Sequence, residues 1–373
     1  MNYKKAIAEI IDKEMENQNG YAKEWIKEIT KNKYICIFGG GQHGFNWFNY
    51  LKELNIKVDF ICDNDESKWN RRLFEDVKCI SPSELKNYKD NVSIIIAIRN
   101  FDPICKQLMQ VGLNLFYVAP IDLFYFKSNM AYAGNKKELM LLKEKISRVI
   151  ELCADKRSKK ICFETVKRWF DNHCEEVSYF DKQYFVDDII QLNEDESFVD
   201  VGAFDGDTIE TFLQESKYTF SDIYAFEMDQ NIYKILSDKV NNIDQKIKEK
   251  IHLYQMGIWN CESTFQYSKN LSSSKIDESG ENSIKVDTLD HILQDKKVTF
   301  LKMDIEGAEM KALEGTKKII IQNKPKLAIC IYHLPEHLWE IPLYLKKIVP
   351  EYKIYIRHHS KDSSETVCYA VIK

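Results

Sequence analysis

The chain has 373 residues, 44% of them hydrophobic and 30% charged, and its 53 Lys and Arg against 58 Asp and Glu leave a formal charge of −5. That length accommodates two or three domains with their own cores, and the acidic balance disfavours a general binder of nucleic acid or anionic membranes, both of which work through positive charge. The longest apolar runs, 94–98 and 327–332, are too short to span a bilayer, and the opening MNYKKAIAEIIDKEMEN has neither the apolar core nor the cleavage site of a signal peptide. Ten cysteines without a CxxC pair, with Cys36, Cys62 and Cys330 inside apolar strand-like runs, point to a reducing, cytoplasmic compartment. The 13 glycines are about half of average usage, so the places that keep them are informative.

In chain order, Ile7, Ile10, Ile11 and Met15 recur at helical spacing and Trp25, Ile26 and Ile29 resume the stripe, predicting an N-terminal helix within 1–33. Over 34–127, strand-like and helix-like segments alternate: YICIF (34–38), a helix from His43 to Leu54, KVDFIC (57–62), VSIIIAI (92–98), a helix from Pro103 to Val111, and LNLFYV (113–118). This alternation predicts a small doubly wound domain of about four parallel strands.

Within it, FGGGQHG (38–44) sets Gly39-x-Gly41-x-x-Gly44 between strand and helix, and Asp63 ends the next strand about twenty residues on. In that layout a helix N-terminus meets a pyrophosphate and an acid meets a ribose, so a nucleotide site is expected at Gly39, Gly41, His43, Gly44 and Asp63. The short sheet and His43 inside the loop weigh against NAD. With FICDND (60–65) and CISPSEL (79–85), residues 34–125 resemble the N-terminal domain of bacterial sugar acetyltransferases. The resemblance implies a nucleotide-activated sugar as ligand; NAD, or a fold that has lost its ligand, are the alternatives.

Residues 128–178 are charged and helical, with Leu139, Leu142, Ile146 and Ile150 on one stripe, and read as a linker between domains. The alternation restarts over 179–373 with SFVDV (197–201), IYAFE (223–227), IHLYQM (251–256), TFLKMD (299–304) and KLAICIY (326–332). YKIYIR (352–357) and TVCYAVI (366–372) then lie close enough to pair as an antiparallel hairpin. The polar segment 268–283 is expected to be a loop or lid. The fold class is therefore α/β: two Rossmann-like doubly wound domains joined by a helical linker, the second with seven strands and a terminal hairpin.

The second glycine loop, FVDVGAFDGDT (198–208), again lies where a strand runs into a helix. Phe204 replaces the middle glycine of commoner nucleotide loops, and Asp205 and Asp207 repel phosphate, so a ligand with a cationic amino-acid end such as S-adenosylmethionine suits it better. Asp200, Gly202, Ala203, Gly206, Asp207 and Thr208 are the expected contacts. Glu227, followed by Met228, comes about twenty residues after Gly206, at the spacing where an acid meets a ribose diol, and Gly257 would let main chain reach an adenine edge.

LKMDIEGAE (301–309) puts Lys302 and Asp304 on one face at the carboxyl edge of a strand, followed by a turn at Glu306 and Gly307. A lysine beside a carboxylate shifts both proton affinities; the bland reading is a salt bridge that fixes the turn. His333 ends the next strand, placed to accept a substrate proton with Asp304 or Glu306 orienting it. His333-Leu-Pro-Glu336-His337 matches the H-x-x-E-H zinc pattern by letter, but Pro335 after a strand end keeps the histidines off one helical face, so no metal is expected. His358 and His359 end the sixth strand on the same edge and are expected to line an acceptor pocket.

Together VDVGAFDGDT (199–208), AFEMD (225–229), KVDTLD (285–290), LKMDIEGAE (301–309), YHLPEHLWEIPLYLK (332–346) and ETVCYA (365–370) resemble the FkbM family of S-adenosylmethionine-dependent methyltransferases. The resemblance implies a class I methyltransferase fold, S-adenosylmethionine held by Asp200, Gly202, Gly206 and Glu227, and methyl transfer to an oxygen, typically a hydroxyl of a sugar or polyketide-like product. Lys302, Asp304, Glu306 and His333 are the catalytic candidates. The expected function is O-methylation of a sugar hydroxyl in surface-glycan or nucleotide-sugar biosynthesis. Its partner would be a small-molecule or glycan acceptor, without nucleic acid or an integral membrane segment, and a homo-oligomer is compatible with this. The alternatives are an NAD(P)-dependent oxidoreductase using the N-terminal domain and a non-catalytic nucleotide-binding scaffold.

Overall fold

The apolar runs rich in β-branched and aromatic residues become strands. The computed structural model describes residues 1–17, 26–98, 101–114, 116–118, 136–170, 179–180, 182–270, 273–276, 282–360 and 364–372. The chain divides into two compact units, Met1–Glu144 with Phe163–Glu176, and Lys145–Cys162 with Val177–Lys373. Trp25, the expected linker start at 128 and its end at 178 lie outside the described residues.

In the first unit the helix Tyr3–Asn17 buries Ile7 and Ile11. The strands β1 (Tyr34–Phe38), β2 (Phe60–Cys62), β3 (Arg72–Leu73), β4 (Val77–Ile80), β5 (Val92–Ile96) and β6 (Phe116–Val118) form one sheet in the order β3-β4-β2-β1-β5-β6. All neighbours are parallel except β3 on β4. Alternate residues of β1 enter opposite cores: Ile35 and Ile37 pack with Ile61 and Ile95, Cys36 and Phe38 with Ile94 and Ile96. The sheet thus exceeds the four strands expected, because RL and VKCI are too short and polar to register as an apolar run.

The segment expected as a linker contains two helices, Lys136–Leu152 and Lys156–Phe170. Residues 145–162 belong to the second unit, where Ala154 N–H donates to the Ile354 carbonyl and the buried Arg357 guanidinium holds Asp155 at 2.6 Å.

The strands of the second unit are β7 (Ser197–Val201), β8 (Asp222–Phe226), β9 (Ile251–Tyr254), β10 (Gly257–Ile258), β11 (Ser263–Asn270), β12 (Ser273–Ile276), β13 (Asn282–Asp287), β14 (Phe300–Met303), β15 (Lys326–Cys330), β16 (Lys353–His358) and β17 (Thr366–Val371). Seven of them form the main sheet in the order β16-β17-β15-β14-β7-β8-β9, with only β17 antiparallel to its neighbours. Phe198 stacks on Phe212 at 4.7 Å and packs with Phe185 and Phe300 beneath the sheet. The order reverses between β7 and β14, and such a switch point opens a crevice at the carboxyl ends of the strands.

A second sheet, β10-β13-β11-β12, corrects the expected loop over 268–283, of which residues 271–272 and 277–281 lie outside the described part. Phe265, Ile284 and Val286 form its apolar cluster with Met228 and Trp259. Few apolar residues reach this cluster, so the segment reads as polar although it is extended. Among the described residues no helix is long and apolar enough to cross a membrane.

Candidate active site

β7 and β14 run side by side, with Asp200 opposite Lys302 and Val201 opposite Met303. Beyond them the chain turns at Gly202, whose φ of 80° is left-handed and where a Cβ would collide with the Asp304 carbonyl oxygen. The Gly202 and Ala203 N–H groups both donate to the Phe226 carbonyl at 3.0 Å, drawing the loop onto β8. Gly202→Ala is therefore expected to lose at least ~2 kcal/mol through overpacking and backbone strain, measurable as a lower urea midpoint; an unchanged midpoint would show that the contact can relax.

Phe204, half exposed at φ 47°, donates its N–H to one oxygen of Glu227 at 3.0 Å, and Asp229 N–H reaches the other at 2.7 Å. Glu227 is thereby held at the end of β8, and burial raises its carboxyl against the pull of those two donors.

Beneath this loop lies a buried ion pair. Lys302 Nζ is 2.9 Å from Asp200, donates to the Gly202 carbonyl at 2.6 Å, and sits 5.2 Å from the Tyr184 ring centroid. Burial works against the ammonium, but Asp200 and Asp304 outweigh it and raise Lys302, while burial pushes the Asp200 carboxyl up to about 6. Asp200, expected at a cofactor, and Lys302, a catalytic candidate, are both buried in the floor, where their shared register makes them each other's partner.

Above the floor is a cavity of about 410 Å³, within the range of small-molecule sites. One wall is Glu227, Met228, Ile232, Met256, Gly257 and Trp259; Gly202 and Phe204 lie at the turn; Asp304, Ile305, Glu306, Gly307 and Leu334 form the far wall. Its lining holds three carboxylates and no Lys or Arg.

Of the other expected contacts, Gly257 does line the cavity, but its φ is not left-handed; a Cβ there would press on Val286 at 3.0 Å, so close strand packing explains the glycine. Ala203, Gly206, Asp207 and Thr208 do not line it. Gly206, at φ 91°, caps the helix Asp207–Glu215; Ala203 and Thr208 are buried; Asp207 accepts the Thr208 N–H at 2.6 Å. The repulsive Asp205 is neutralised by Lys239 at 2.6 Å.

At the far wall, Asp304 accepts hydrogen bonds from Tyr184 Oη at 2.8 Å and Tyr332 Oη at 3.2 Å. His333 lies behind it, with Nδ1 2.7 Å from Glu309 Oε1 and Nε2 3.3 Å from Asp304 and 3.8 Å from Glu306. Glu309 is wholly buried, accepts the Ile305 N–H at 2.9 Å, and meets His337 Nδ1 at 3.3 Å through its other oxygen. The two histidines of the H-x-x-E-H string thus converge on Glu309 rather than pairing around Glu336. His333 itself is not part of the lining; Asp304 and Glu306 stand in front of it.

Burial favours neutral His333, yet Glu309 outweighs it and raises the imidazole to about 9; burial likewise opposes the Glu309 charge, but the two histidines hold that carboxyl well below its usual range. The raised His333 contributes stability fully present below its unfolded value of 6.5 and lost as pH rises through about 9. Glu309, lowered, contributes stability present above 4.5 and lost in acid. In protein stripped of metal ions, unfolding free energy should therefore fall by about 3 kcal/mol at most between neutral pH and pH 9. His333→Gln should flatten that limb; an equally steep limb in the variant would reject the assignment.

His358 and His359 do not line the cavity: His358 Nδ1 pairs with Thr366 Oγ1 at 2.8 Å, and His359 lies between the Phe180 carbonyl (2.8 Å) and Tyr369 Oη (2.9 Å). Strand pairing with β17 and the loop at Phe180 cover them. Tyr184, Tyr332, Met256 and Trp259 were not anticipated. Tyr184 comes from a segment with no motif, and only its strained φ of 65° sets it apart.

In the first unit, Gly39 N–H donates to the Cys62 carbonyl at 2.7 Å and Gly44 packs on the Gly39 carbonyl, while Gly41 faces open space at the start of the helix Gln42–Glu53 and His43 is half-buried. Asp63 accepts Gly40 N–H at 2.7 Å, Asp65 N–H at 2.8 Å and Lys68 Nζ at 2.9 Å. Burial would raise its carboxyl, but these donors outweigh it and lower it. Asp63, the acid expected at a ribose, thus closes the glycine loop with both its oxygens.

Residues 200–355 match the family model of the methyltransferase FkbM domain, and residues 30–115 match that of the C2185-like N-terminal domain. The crystal structure of methyltransferase FkbM from Methylobacillus flagellatus aligns over 99% of both chains with a TM-score of 0.74 and 20% identity, which shows a shared fold. An rRNA methylase from Streptococcus thermophilus aligns with 49% of this chain and 90% of its own at a TM-score of 0.31 and 16% identity. A SAM dependent methyltransferase from Aquifex aeolicus covers 48% and 85%, at 0.28 and 16%. No curated protein matches the chain. Glu227 on one wall, an apolar slot beside it and an acidic, lysine-free far wall fit S-adenosylmethionine, the cofactor of this methyltransferase class. By its family model, then, the stretch 200–355 is a methyltransferase FkbM domain, set on the seven-stranded sheet and its switch-point crevice.

Proposed function

We propose that the chain transfers a methyl group from S-adenosylmethionine to a hydroxyl of a sugar, in the building of a surface glycan or of its nucleotide-activated precursor. The observation that carries this reading is the cavity lining: three carboxylates without a basic residue repel a diphosphate and suit a sulfonium. When bound, S-adenosylmethionine supplies a methyl on a positively charged sulfur, which keeps the electron pair as the carbon leaves.

Glu227 would accept hydrogen bonds from the ribose diol while Met228, Ile232, Met256 and Trp259 enclose the base. Asp304, fixed by two tyrosines, and Glu306, on the adjoining turn, face an acceptor hydroxyl; Glu306 takes its proton as the oxygen gains the methyl. A positioned base contributes roughly 10²–10⁴ in rate, in addition to what alignment of the oxygen with the methyl supplies. Lys302 and Asp200 hold the floor, and His333 with Glu309 holds the far wall.

The first unit would bind the nucleotide part of an activated sugar at the open Gly41 turn. The nine described cysteines, none in a disulfide, support a cytoplasmic site of action. Incubation with methyl-labelled S-adenosylmethionine and a panel of sugars and nucleotide-sugars should yield a methylated sugar by mass. Label found only on a nitrogen or carbon acceptor would overturn the oxygen assignment.

A further inference from the structure

The far wall gathers one imidazole and two carboxylates, and the imidazole's Nε2 is a buried atom without a hydrogen-bond partner. His333 Nε2 makes no hydrogen bond although the side chain is 7% exposed, and it is directed at Asp304 Oδ1 (3.3 Å) and Glu306 Oε2 (3.8 Å). Metal bonds of about 2.1 Å set neighbouring ligand atoms about 3.0–3.4 Å apart; His333 Nε2 and Asp304 Oδ1 stand at that spacing, Glu306 lies slightly beyond it, and Asp304, Glu309 and His333 bring ligand atoms within 4.8 Å of one another. The opposite ring nitrogen is held by Glu309 at 2.7 Å. A carboxylate behind Nδ1 fixes the tautomer and aims Nε2 outward, as in metal-binding histidines.

We propose that Asp304, Glu306 and His333 bind a divalent cation of the magnesium or manganese class, with Glu309 as the outer partner of His333. Two carboxylates and one imidazole favour a hard ion with open positions. Those positions face the cavity, because Asp304 and Glu306 line it. This site rests on reading the far wall as the acceptor's: the ion would hold the acceptor oxygen and ease loss of its proton, with Glu306 ligating through Oε2 and receiving the proton on Oε1. Balance needs no further reactant, since the methyl and its charge come from the donor.

The test is a Mn²⁺ titration of the full chain, stripped with chelator and followed by the loss of the free-ion paramagnetic resonance signal. A single site is expected, at least about tenfold weaker in Glu306→Gln and about 10–100-fold weaker in Glu309→Gln, with thermal melts confirming that each variant is folded. Should Glu309→Gln fail to fold, the partly exposed Glu306 still decides the matter. Absence of binding at millimolar Mn²⁺, or equal binding in Glu306→Gln, would overturn the site. Calorimetry with S-adenosylmethionine on the same protein separates the two ideas: donor binding without Mn²⁺ binding rejects the metal alone, whereas Mn²⁺ binding without donor binding rejects the methyltransferase reading.

Discussion

Lys302→Met should destabilise the second unit by about 3–5 kcal/mol, because it strands the Asp200 carboxylate in the protein interior. Lys302 also donates to the Gly202 carbonyl, so the variant frees the turn on which the cavity rests. The double variant Asp200→Asn/Lys302→Met should recover part of the loss, since two neutral side chains of similar volume remove the stranded charge. Urea unfolding of the wild type, both singles and the double supplies the cycle. A single variant within about 1 kcal/mol of wild type would mean that the pair is dispensable to the floor.

Glu227→Ala should weaken S-adenosylmethionine by about a hundredfold or more. Hydrogen bonds to a charged group contribute about 1.5–3 kcal/mol each, and two ribose hydroxyls would lose theirs together. The same carboxylate also ties Phe204 and Asp229 N–H groups, so the loop at the turn loosens as the diol loses its acceptor. Glu227→Gln keeps one carbonyl oxygen and should retain part of the affinity. Calorimetry distinguishes these outcomes; an alanine variant that binds the donor as tightly as wild type would end the assignment of this wall to the ribose.

Each strand of the seven-stranded sheet was legible in its own residues, because buried parallel strands are continuous apolar runs and need no partner to be seen. SFVDV coincides with β7 and YICIF with β1. The turn at Gly202 was equally legible, since its left-handed φ is a local demand on residue type. The strands β11 to β13 and the short β3 and β4 carry too few consecutive apolar residues to stand out in the sequence.

The site divides along the same line. Glu227, Asp304 and Glu306 were visible as acids at strand ends, where chain order alone places them at one edge of the sheet. What only the tertiary structure decided is which of the neighbouring charges face the cavity. Asp200 and Lys302 face each other through the register of β7 and β14, and His333 turns its ring to Glu309, 24 residues earlier in the chain. Tyr184 reaches Asp304 across 120 residues. A strand end is a local property of the chain, whereas the partner of a buried charge is set by which segments the fold brings within about 3 Å, and no residue carries that information alone.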